Sequence, residues 1–344
     1  MQYEIKKSGD LLDENGHLIE CGYAKKLIKN YDRNAIKAGK LRIKEWDYYL
    51  IYNDKFGVAL TIDDNSYMGL NSISFLDFEN SKETTKSPMK FMTKGKTNLP
   101  ATSKIGDIKV EHKNYMLSFK NDGKLRVIDA YLKKFRDGKD INVHFELTDE
   151  PKDSMVIVTP FKEKKTAFYY NQKIVGLRAK GFVTIGDERY DFDEKSTRAI
   201  LDWGRGVWTY KNTWYWGAGC GVIKGHEVGF NIGYGFGDTS KASENMIFYD
   251  GVAHKLDKVQ FNIPKDKNGK DDFLSPWTFT SNDGRFEMKF KPLLDRHANS
   301  DIWIISSNQH QVFGLFSGDM ILDSGEKIHL NNFLAFAEKV VNKW

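Results

Sequence analysis

Apolar and polar residues alternate along several short stretches of the chain, and this spacing is typical of half-buried β-strands. The clearest runs lie in residues 141–148, 259–263 and 286–291. Asx-Gly pairs lie between such runs, and they supply the positive φ angles that tight hairpins need. They occur at Asn121-Asp122-Gly123, Asp137-Gly138, Asp250-Gly251, Asn268-Gly269, Asn282-Asp283-Gly284 and Asp323-Ser324-Gly325. The pattern predicts an all-β protein built from antiparallel strands in barrels or sandwiches.

Helical spacing is rare in this sequence. Residues 34–43 fit one or two helical turns, and residues 332–344 fit either a helix or a strand that closes a barrel. No Pro/Gly-rich hinge divides the chain, but about eight strand-like runs follow Gly206, which is enough for one closed barrel. We therefore predict an N-terminal barrel or sandwich over residues 1–206 and a second barrel over residues 207–344.

The composition is that of a globular chain with a sizeable core, since 40% of the 344 residues are hydrophobic. The net charge is +5, and lysines occur singly or in pairs rather than in a stripe interleaved with aromatic residues. We therefore expect no nucleic-acid partner. Residues 1–20 are polar, and no apolar run reaches the ~18 residues of a membrane helix. These features predict a cytoplasmic protein without an integral membrane segment, and they leave the oligomeric state open.

The motifs do not indicate metal or cofactor chemistry. Cys21 and Cys220 are the two cysteines, with no CxxC spacing, so two free thiols are the simplest interpretation. The eight histidines form no HxH or HExxH pattern. Residues 233–237 are rich in glycine, but they lie between predicted strands with no helix to bind a phosphate. We expect no metal and no cofactor.

One segment, residues 199–221, differs from the rest of the chain. Four of the eight tryptophans fall in it, together with five glycines, Asp202 and Arg205. The rings either fill a barrel seam or wall a partly open pocket that contains an acid and a base. Asp202 follows a strand-like run, so we expect it at a strand end near the barrel mouth. Because an unpaired buried charge is costly, Asp202 either pairs with Arg205 or has a catalytic role.

The same segment resembles the signature of a bacterial family, the domain of unknown function 2804. Further matches to that family are Trp46-Asp47-Tyr48, residues 168–173, His254-Lys255-Leu256, residues 311–314 and Trp344, so the resemblance covers most of the chain. More distantly, the chain is similar to the lipocalin-like superfamily of carotenoid 1,2-hydratases and hydroxyneurosporene synthases. In those relatives a strand ends on an aspartate followed by tryptophan, and a Trp-x-Trp strand comes next. Asp202 and Trp214-Tyr215-Trp216 match these positions, although Ile200 and Leu201 replace the aromatic residue that is common before the aspartate.

The resemblance implies two lipocalin-like antiparallel β-barrels packed together, with a ligand held inside or between them. Together with the aromatic segment, it favours a cofactor-independent acid–base enzyme of the hydratase, isomerase or cyclase type that acts on an apolar lipid or isoprenoid-like molecule. A carboxyl among aromatic rings has a raised pKa and can donate a proton near neutral pH. The candidate catalytic residues are Asp202, Glu244 and Tyr210, with Glu227 as another carboxylate.

The candidate ligand-binding residues are expected to line one cavity, with two of them approaching from the first barrel. They are Trp46, Tyr170, Trp203, Arg205, Trp208, Trp214, Trp216, Asn231 and Asn245. Two other functions remain open at this point. One is a non-catalytic carrier of the same apolar ligand. The other is a carbohydrate-active site, since aromatic rings, carboxylates and asparagines, Asn212 among them, also suit sugars.

Overall fold

The computed structural model describes residues 2–302 and 305–343. Nearly all regular structure there is β-strand, and the helical part consists of two short 3-10 helices, Arg33–Ala35 and Lys40–Arg42. The all-β prediction is therefore confirmed. The helical spacing in residues 34–43 corresponds to these two turns. Residues 332–343 lie in a strand, and Trp344 is outside the described residues.

The first sheet holds fourteen strands within the described part of the chain, and a small parallel pair, β1 (Gly9–Asp10) with β3 (Lys29–Asn30), lies beside it. The fourteen strands of the first sheet are β2 (Gly22–Ala24), β4 (Ile43–Tyr52), β5 (Phe56–Asp64), β6 (Met68–Asp77), β7 (Lys82–Lys86), β8 (Met89–Phe91), β9 (Ile108–His112), β10 (Tyr115–Asn121), β11 (Arg126–Arg136), β12 (Lys139–Thr148), β13 (Met155–Phe161), β14 (Lys164–Ile185), β15 (Glu188–Phe192) and β16 (Arg198–Val207).

The main path of this sheet runs β7-β6-β5-β4-β16-β14-β12-β11-β10-β9. Strand β14 spans 22 residues and pairs with four other strands, β12, β13, β15 and β16. It bends at Gly176, where φ is 104° and the register with β16 shifts between Val175 and Leu177. A glycine suits this position because other residues rarely adopt such a φ angle. Strands β14, β16 and β4 lie side by side at the centre of this path.

The second sheet contains nine antiparallel strands among the described residues. They are β17 (Lys211–Ile223), β18 (His226–Tyr234), β19 (Met246–Tyr249), β20 (Val252–Lys255), β21 (Val259–Asn262), β22 (Trp277–Ser281), β23 (Phe286–Ile302), β24 (Ile305–Ile321) and β25 (Lys327–Lys343). The chain passes from the first sheet to the second between Val207 and Lys211. We propose that the domain boundary lies in this connection, within a few residues of Gly206.

The two sheets pack against each other through one face of β4, β14 and β16. The Tyr52 hydroxyl donates to the carbonyl oxygen of Cys220 at 3.0 Å and accepts from its amide at 2.8 Å. The Tyr48 hydroxyl donates to Gln311 Oε1 on β24 at 3.3 Å. One hydrophobic core runs through this contact and includes Leu50 of the first sheet and Phe336 of the second. A second core lies within the second sheet, around Phe230, Phe279 and Phe316. Across residues 2–302 and 305–343, no helix has the length and apolar character to cross a bilayer.

Candidate active site between the two sheets

Three polar residues of β14 point into the contact between the sheets. Tyr169, Asn171 and Lys173 occupy alternate positions of the strand, so their side chains share one face. Asp202 of β16 lies directly opposite Lys173, and Tyr48 of β4 lies opposite Asp202. The strand pairing therefore brings an acid, a base and a phenol together in a buried layer.

Asp202 lies in the middle of β16, so its predicted position at a strand end is wrong. The reason lies in the glycines that follow it. A Cβ atom on Gly204 would come within 2.1 Å of the Trp46 ring, and one on Gly206 would come within 2.4 Å of the Phe168 carbonyl oxygen. These glycines allow close packing within a continuous strand and do not form a turn.

Asp202 is paired with Lys173 and not with Arg205. Lys173 Nζ is 2.7 Å from Asp202 Oδ2, and the Asn171 amide donates to Oδ1, also at 2.7 Å. The Lys173 ammonium also lies 4.0 Å from the centroid of the Trp216 ring, a cation–π distance. Arg205 is three positions further along the strand, so it points to the opposite face. There it forms a 2.9 Å ion pair with Asp47.

Glu244 reaches the same layer from the second sheet. It lies in the connection between β18 and β19. The amide of Asn231 donates to the Glu244 carbonyl oxygen at 3.0 Å, and the backbone N–H of Gly233 donates to Asn245 Oδ1 at 2.7 Å. A Cβ atom on Gly233 would lie 3.2 Å from Glu244 Oε2, so this glycine leaves room for the carboxyl group. Asn231 and Asn245 thus position Glu244.

Gln2, near the start of the chain, forms hydrogen bonds with one residue before Asn245 and one after it. The backbone N–H of Ser243 donates to Gln2 Oε1 at 2.8 Å, and Gln2 Nε2 donates to the carbonyl oxygen of Leu256 at 2.8 Å. The loop that carries Glu244 is therefore fastened from both sides.

The Glu244 side chain is fully buried, and neither carboxyl oxygen has a hydrogen-bond partner within the described residues. Burial raises the pKa of this carboxyl group to about 7, the nearby Lys173 ammonium opposes the rise, and Asp202 adds to it. Two neighbouring polar atoms, the Tyr169 hydroxyl and Asn171 Oδ1, also lack a hydrogen-bond partner in this part of the chain. Each such buried group costs about 1–3 kcal/mol. Their convergence is the most unusual feature of the layer.

The Tyr169 hydroxyl and Glu244 affect each other although no hydrogen bond of ordinary geometry joins them. Burial, followed by the Glu244 charge, raises the pKa of Tyr169 well above its usual value. The phenol in turn lowers the pKa of Glu244. Tyr169 therefore stays neutral and able to donate a hydrogen bond to a group placed between them.

An aromatic cluster lies beside the polar layer. The Trp208 ring contacts Trp46, Tyr169 and Trp214 at centroid distances of 5.8, 5.4 and 5.3 Å. Trp214 and Trp216 face the first sheet, whereas Tyr215 stacks on Tyr234 on the other side of β17 at 4.5 Å. This confirms the alternation expected for the Trp-Tyr-Trp strand.

Trp203 and Tyr170 do not belong to this cluster, so the prediction that all these rings line one cavity is wrong. Both point to the opposite face of the first sheet, where their ring centroids are 5.4 Å apart. Arg205 lies with them, 4.3 Å from the Trp203 ring. Because side chains alternate between the two faces of a strand, Trp203 points away from the face on which Trp208 contacts Trp46.

The sequence prediction missed four residues of the layer: Tyr169, Asn171, Lys173 and Glu338. Glu338 of β25 is buried, and it accepts hydrogen bonds from Trp214 Nε1 at 3.1 Å and Gln309 Nε2 at 2.8 Å. Burial raises its pKa. The match of residues 168–173 to the family signature was the available signal for the first three.

Other predicted residues lie outside the layer. Tyr210 is 44% exposed in the connection between β16 and β17. Glu227 pairs with Arg198 at 2.7 Å near the surface. Asn212 lines, with Phe161 and Thr209, an open cavity of about 410 Å³ that borders the aromatic cluster. Residues 2–302 and 305–343 contain no group of three or more side chains arranged to hold a metal ion.

Three proteins of known structure resemble this chain in their architecture. A protein from Nitrosomonas europaea described as an AttH shares 11% identity, with a TM-score of 0.52 over 92% of this chain and 97% of the other. Kievitone hydratase from Nectria haematococca has 11% identity and a TM-score of 0.46 over 92% and 96% of the chains. CghA has 10% identity and a TM-score of 0.44 over 97% of each.

The first of these likenesses supports the fold alone, in agreement with the predicted lipocalin-like architecture. No curated protein sequence matches the chain significantly. The sequence profile described as domain of unknown function (DUF2804) matches residues 2–344, so the chain belongs to that family.

Proposed function

We propose that the protein is a cofactor-independent acid–base enzyme, of the hydratase, isomerase or cyclase type, with Glu244 as the proton donor. The observation that carries the proposal is the fully buried Glu244 carboxyl group without a hydrogen-bond partner among the described residues. Burial raises its pKa to about 7, which suits a group that donates a proton near neutral pH. A structural glutamate would instead be paired, as Glu338 is.

The surroundings suit an apolar lipid or isoprenoid-like ligand that carries an oxygen or an alkene. Rings of Trp208, Trp46 and Trp214 provide apolar surface beside the acid. The unpaired atoms of Tyr169 and Asn171 would bind the polar part of the ligand or a water molecule. Asp202 forms a 2.7 Å ion pair with Lys173 in the same layer, and we assign it the electrostatic role of stabilising developing positive charge.

A hydration illustrates the chemistry in balanced form. Glu244 transfers its proton to one alkene carbon, and positive charge develops on the other. The oxygen of a water molecule then forms a bond to that carbon, and the proton it loses returns to the Glu244 carboxylate. In an isomerisation the cation instead loses a proton from a neighbouring carbon to the Glu244 carboxylate, which restores the acid. Neither route needs a cofactor.

A non-catalytic carrier of the same ligand is the second candidate, and one observation favours it. The Trp208 ring is packed by neighbouring rings on several sides, among them Phe161 at 5.6 Å and Phe236 at 6.2 Å. Because these rings are packed together, a ligand held only in the open cavity next to Phe161 would not reach Glu244. It would then be bound without being converted, as expected of a carrier. We also propose a cytoplasmic location, in keeping with the free thiols of Cys21 and Cys220.

The test starts from native mass spectrometry of the protein purified from its own host, to identify a bound lipid. Titration with oleate, farnesol and retinol should quench tryptophan fluorescence saturably. Turnover of the identified lipid should fall ~100-fold or more in Glu244→Gln, as for loss of a general acid, while Glu14→Gln on the surface keeps it. Turnover retained in Glu244→Gln would exclude this mechanism. Binding without turnover would favour the carrier.

A further inference from the structure

The positive charge of the chain is concentrated in two segments. Residues 33–44 and residues 84–106 each contain five lysines or arginines and no acidic residue. The rest of the chain then holds 42 basic and 47 acidic residues, since 52 − 10 = 42, and is net negative by 5. Lys44 is buried, Arg33 pairs with Glu45, and the half-buried Arg42 bonds the Trp208 carbonyl oxygen. The other seven basic side chains of the two segments are exposed lysines.

These two segments meet in the folded protein. The backbone N–H of Lys94 donates to the Ser66 carbonyl oxygen at 2.8 Å, and the Ser66 hydroxyl donates to the Ile43 carbonyl oxygen at 2.9 Å. Strand β8 pairs with β6, and the N–H of Met92 donates to the Tyr67 carbonyl oxygen at 2.7 Å. Tyr67 in turn lies near Arg42. Burial lowers the pKa of Arg42, and Tyr67 opposes this change. The segments form one continuous surface.

Large apolar side chains are exposed on the same surface. Phe91 is 68% exposed, and its neighbours Met89 and Met92 are about half exposed at 52% and 49%. Leu41 and Tyr210 are exposed where the first segment meets the connection between β16 and β17. Lysines lie among them. We call this set the basic apolar surface: Lys40, Leu41, Arg42, Met89, Lys90, Phe91, Met92, Lys94, Lys96 and Tyr210.

The basic apolar surface is held in place by buried contacts. Asp64 accepts hydrogen bonds from the Thr93 hydroxyl at 2.7 Å, the Gly95 N–H at 2.9 Å and the Thr97 hydroxyl at 2.8 Å. These bonds fix the shape of the loop that presents the lysines. The exposure of Phe91 and Met92 is thus part of the fold.

This surface also borders the candidate active site. The Arg42 guanidinium donates to the carbonyl oxygen of Trp208, a central ring of the aromatic cluster. Tyr210 follows Trp208 by two residues. A molecule that arrives at the surface is therefore next to the rings.

We propose that the basic apolar surface docks on an anionic lipid surface. Lysines attract anionic headgroups, while Phe91, Met89 and Met92 insert between the acyl chains. A nucleic acid would also be attracted to the charge, but it gains little from exposed methionine and leucine, which favours the lipid surface. This inference builds on the proposed function, because it names the source of the apolar ligand.

The test uses the full chain and vesicles, and it needs no substrate. Flotation with phosphatidylcholine vesicles containing about one-third phosphatidylglycerol should show binding that weakens at high salt. Pure phosphatidylcholine vesicles should bind at least tenfold less. The variant Lys90→Glu/Lys94→Glu/Lys96→Glu and the variant Phe91→Ser/Met92→Ser should each bind the anionic vesicles at least tenfold less.

Matched controls change the same charge and apolar area elsewhere. Lys258→Glu/Lys267→Glu/Lys289→Glu and Val222→Ser/Leu274→Ser alter exposed residues of the second sheet and its loops, and both should bind like the unchanged protein. Circular dichroism checks that every variant is folded. No binding to anionic vesicles, equal binding to neutral ones, or equal loss in the controls would each overturn the proposal. So would binding to duplex DNA that matches vesicle binding and is insensitive to Phe91→Ser/Met92→Ser. Failure here would leave the Glu244 mechanism intact, because that is tested without a membrane.

Discussion

Each face of the central strands β14 and β16 carries a buried ion pair beside a tryptophan, but the two faces differ in whether all their acids are paired. On one face Arg205 pairs with Asp47 and lies against Trp203; on the other, Lys173 pairs with Asp202 and lies against Trp216. Arg205 makes four hydrogen bonds, to three carbonyl oxygens and one carboxylate, and only its Nε lacks a partner among the described residues.

The difference lies in the acids. On the Arg205 face, Asp47 is paired with Arg205, and Glu45 is bound by Tyr31 and Arg33. On the Lys173 face, Glu244 has neither a paired charge nor a hydrogen bond within residues 2–302 and 305–343. A buried ion pair beside tryptophan is therefore compatible with a purely structural role. The unpaired acid distinguishes a candidate active site from a structural cluster.

The largest expected effect is on the paired face. Arg205→Met leaves the Asp47 carboxylate buried without its partner, so the free energy of unfolding should fall by about 3–5 kcal/mol. Urea denaturation measures it. Arg189→Met, which removes an exposed ion pair with Asp191, should cost less than ~1 kcal/mol. An Arg205→Met cost as small as that of Arg189→Met would mean that the two faces do not differ as described.

The second prediction concerns pH and the unpaired face. Since burial raises the pKa of Glu244 from its ordinary value of 4.5 to about 7, the folded state holds the proton more tightly than the unfolded state. This contribution to stability is complete below pH 4.5 and is lost as the pH rises through 7, and it amounts to roughly 3 kcal/mol.

Glu244→Gln removes this titration. The difference in the free energy of unfolding between the unchanged protein and Glu244→Gln, measured by urea denaturation at pH 4.5, 6 and 8, should therefore shift by about 3 kcal/mol against the unchanged protein. Taking the difference cancels the other titrating groups. A difference that is flat with pH would show that Glu244 is paired and ionised in the folded protein.

The smallest effect compares two adjacent tyrosines on opposite faces. The Tyr170 hydroxyl donates to the Lys29 carbonyl oxygen at 2.8 Å and accepts from the Lys29 N–H at 3.2 Å. Tyr170→Phe should therefore lower the free energy of unfolding by about 1–3 kcal/mol. Tyr169→Phe should leave it unchanged or raise it by up to about 1–3 kcal/mol, because it removes a buried hydroxyl without a hydrogen-bond partner among the described residues. Thermal and urea denaturation of both variants give the answer. Equal costs would show that Tyr169 has a partner of its own.

Much of the fold could be predicted because strand alternation is a local property. Residues 141–148, 259–263 and 286–291 all fall within strands or at their ends. Residues 332–343 could not be assigned, because their apolar spacing suits a helix and a strand equally. The structure shows that pairing with β17 and β24 decides the matter, and those partners are remote in sequence.

The site was harder to predict because it depends on register between strands. Asp202 was identified from its aromatic neighbours and Glu244 as an alternative carboxylate. Lys173 is 29 positions before Asp202 and meets it only through the β14–β16 pairing. A pair between Asp202 and Arg205, one of the two alternatives for Asp202, requires the chain to turn between them. In a continuous strand, residues three apart lie on opposite faces, so the spacing itself argued against that pair.

The tie between Gln2 and the loop around Glu244 has a consequence for folding order. Gln2 and Leu256 are separated by 254 positions, and such non-local contacts form late because a long loop must close first. Local hairpins such as the β23–β24 pair can form long before this contact is made. We therefore expect the Gln2 contacts that hold this loop to close among the last events of folding, so a partly folded chain would carry an unfinished site.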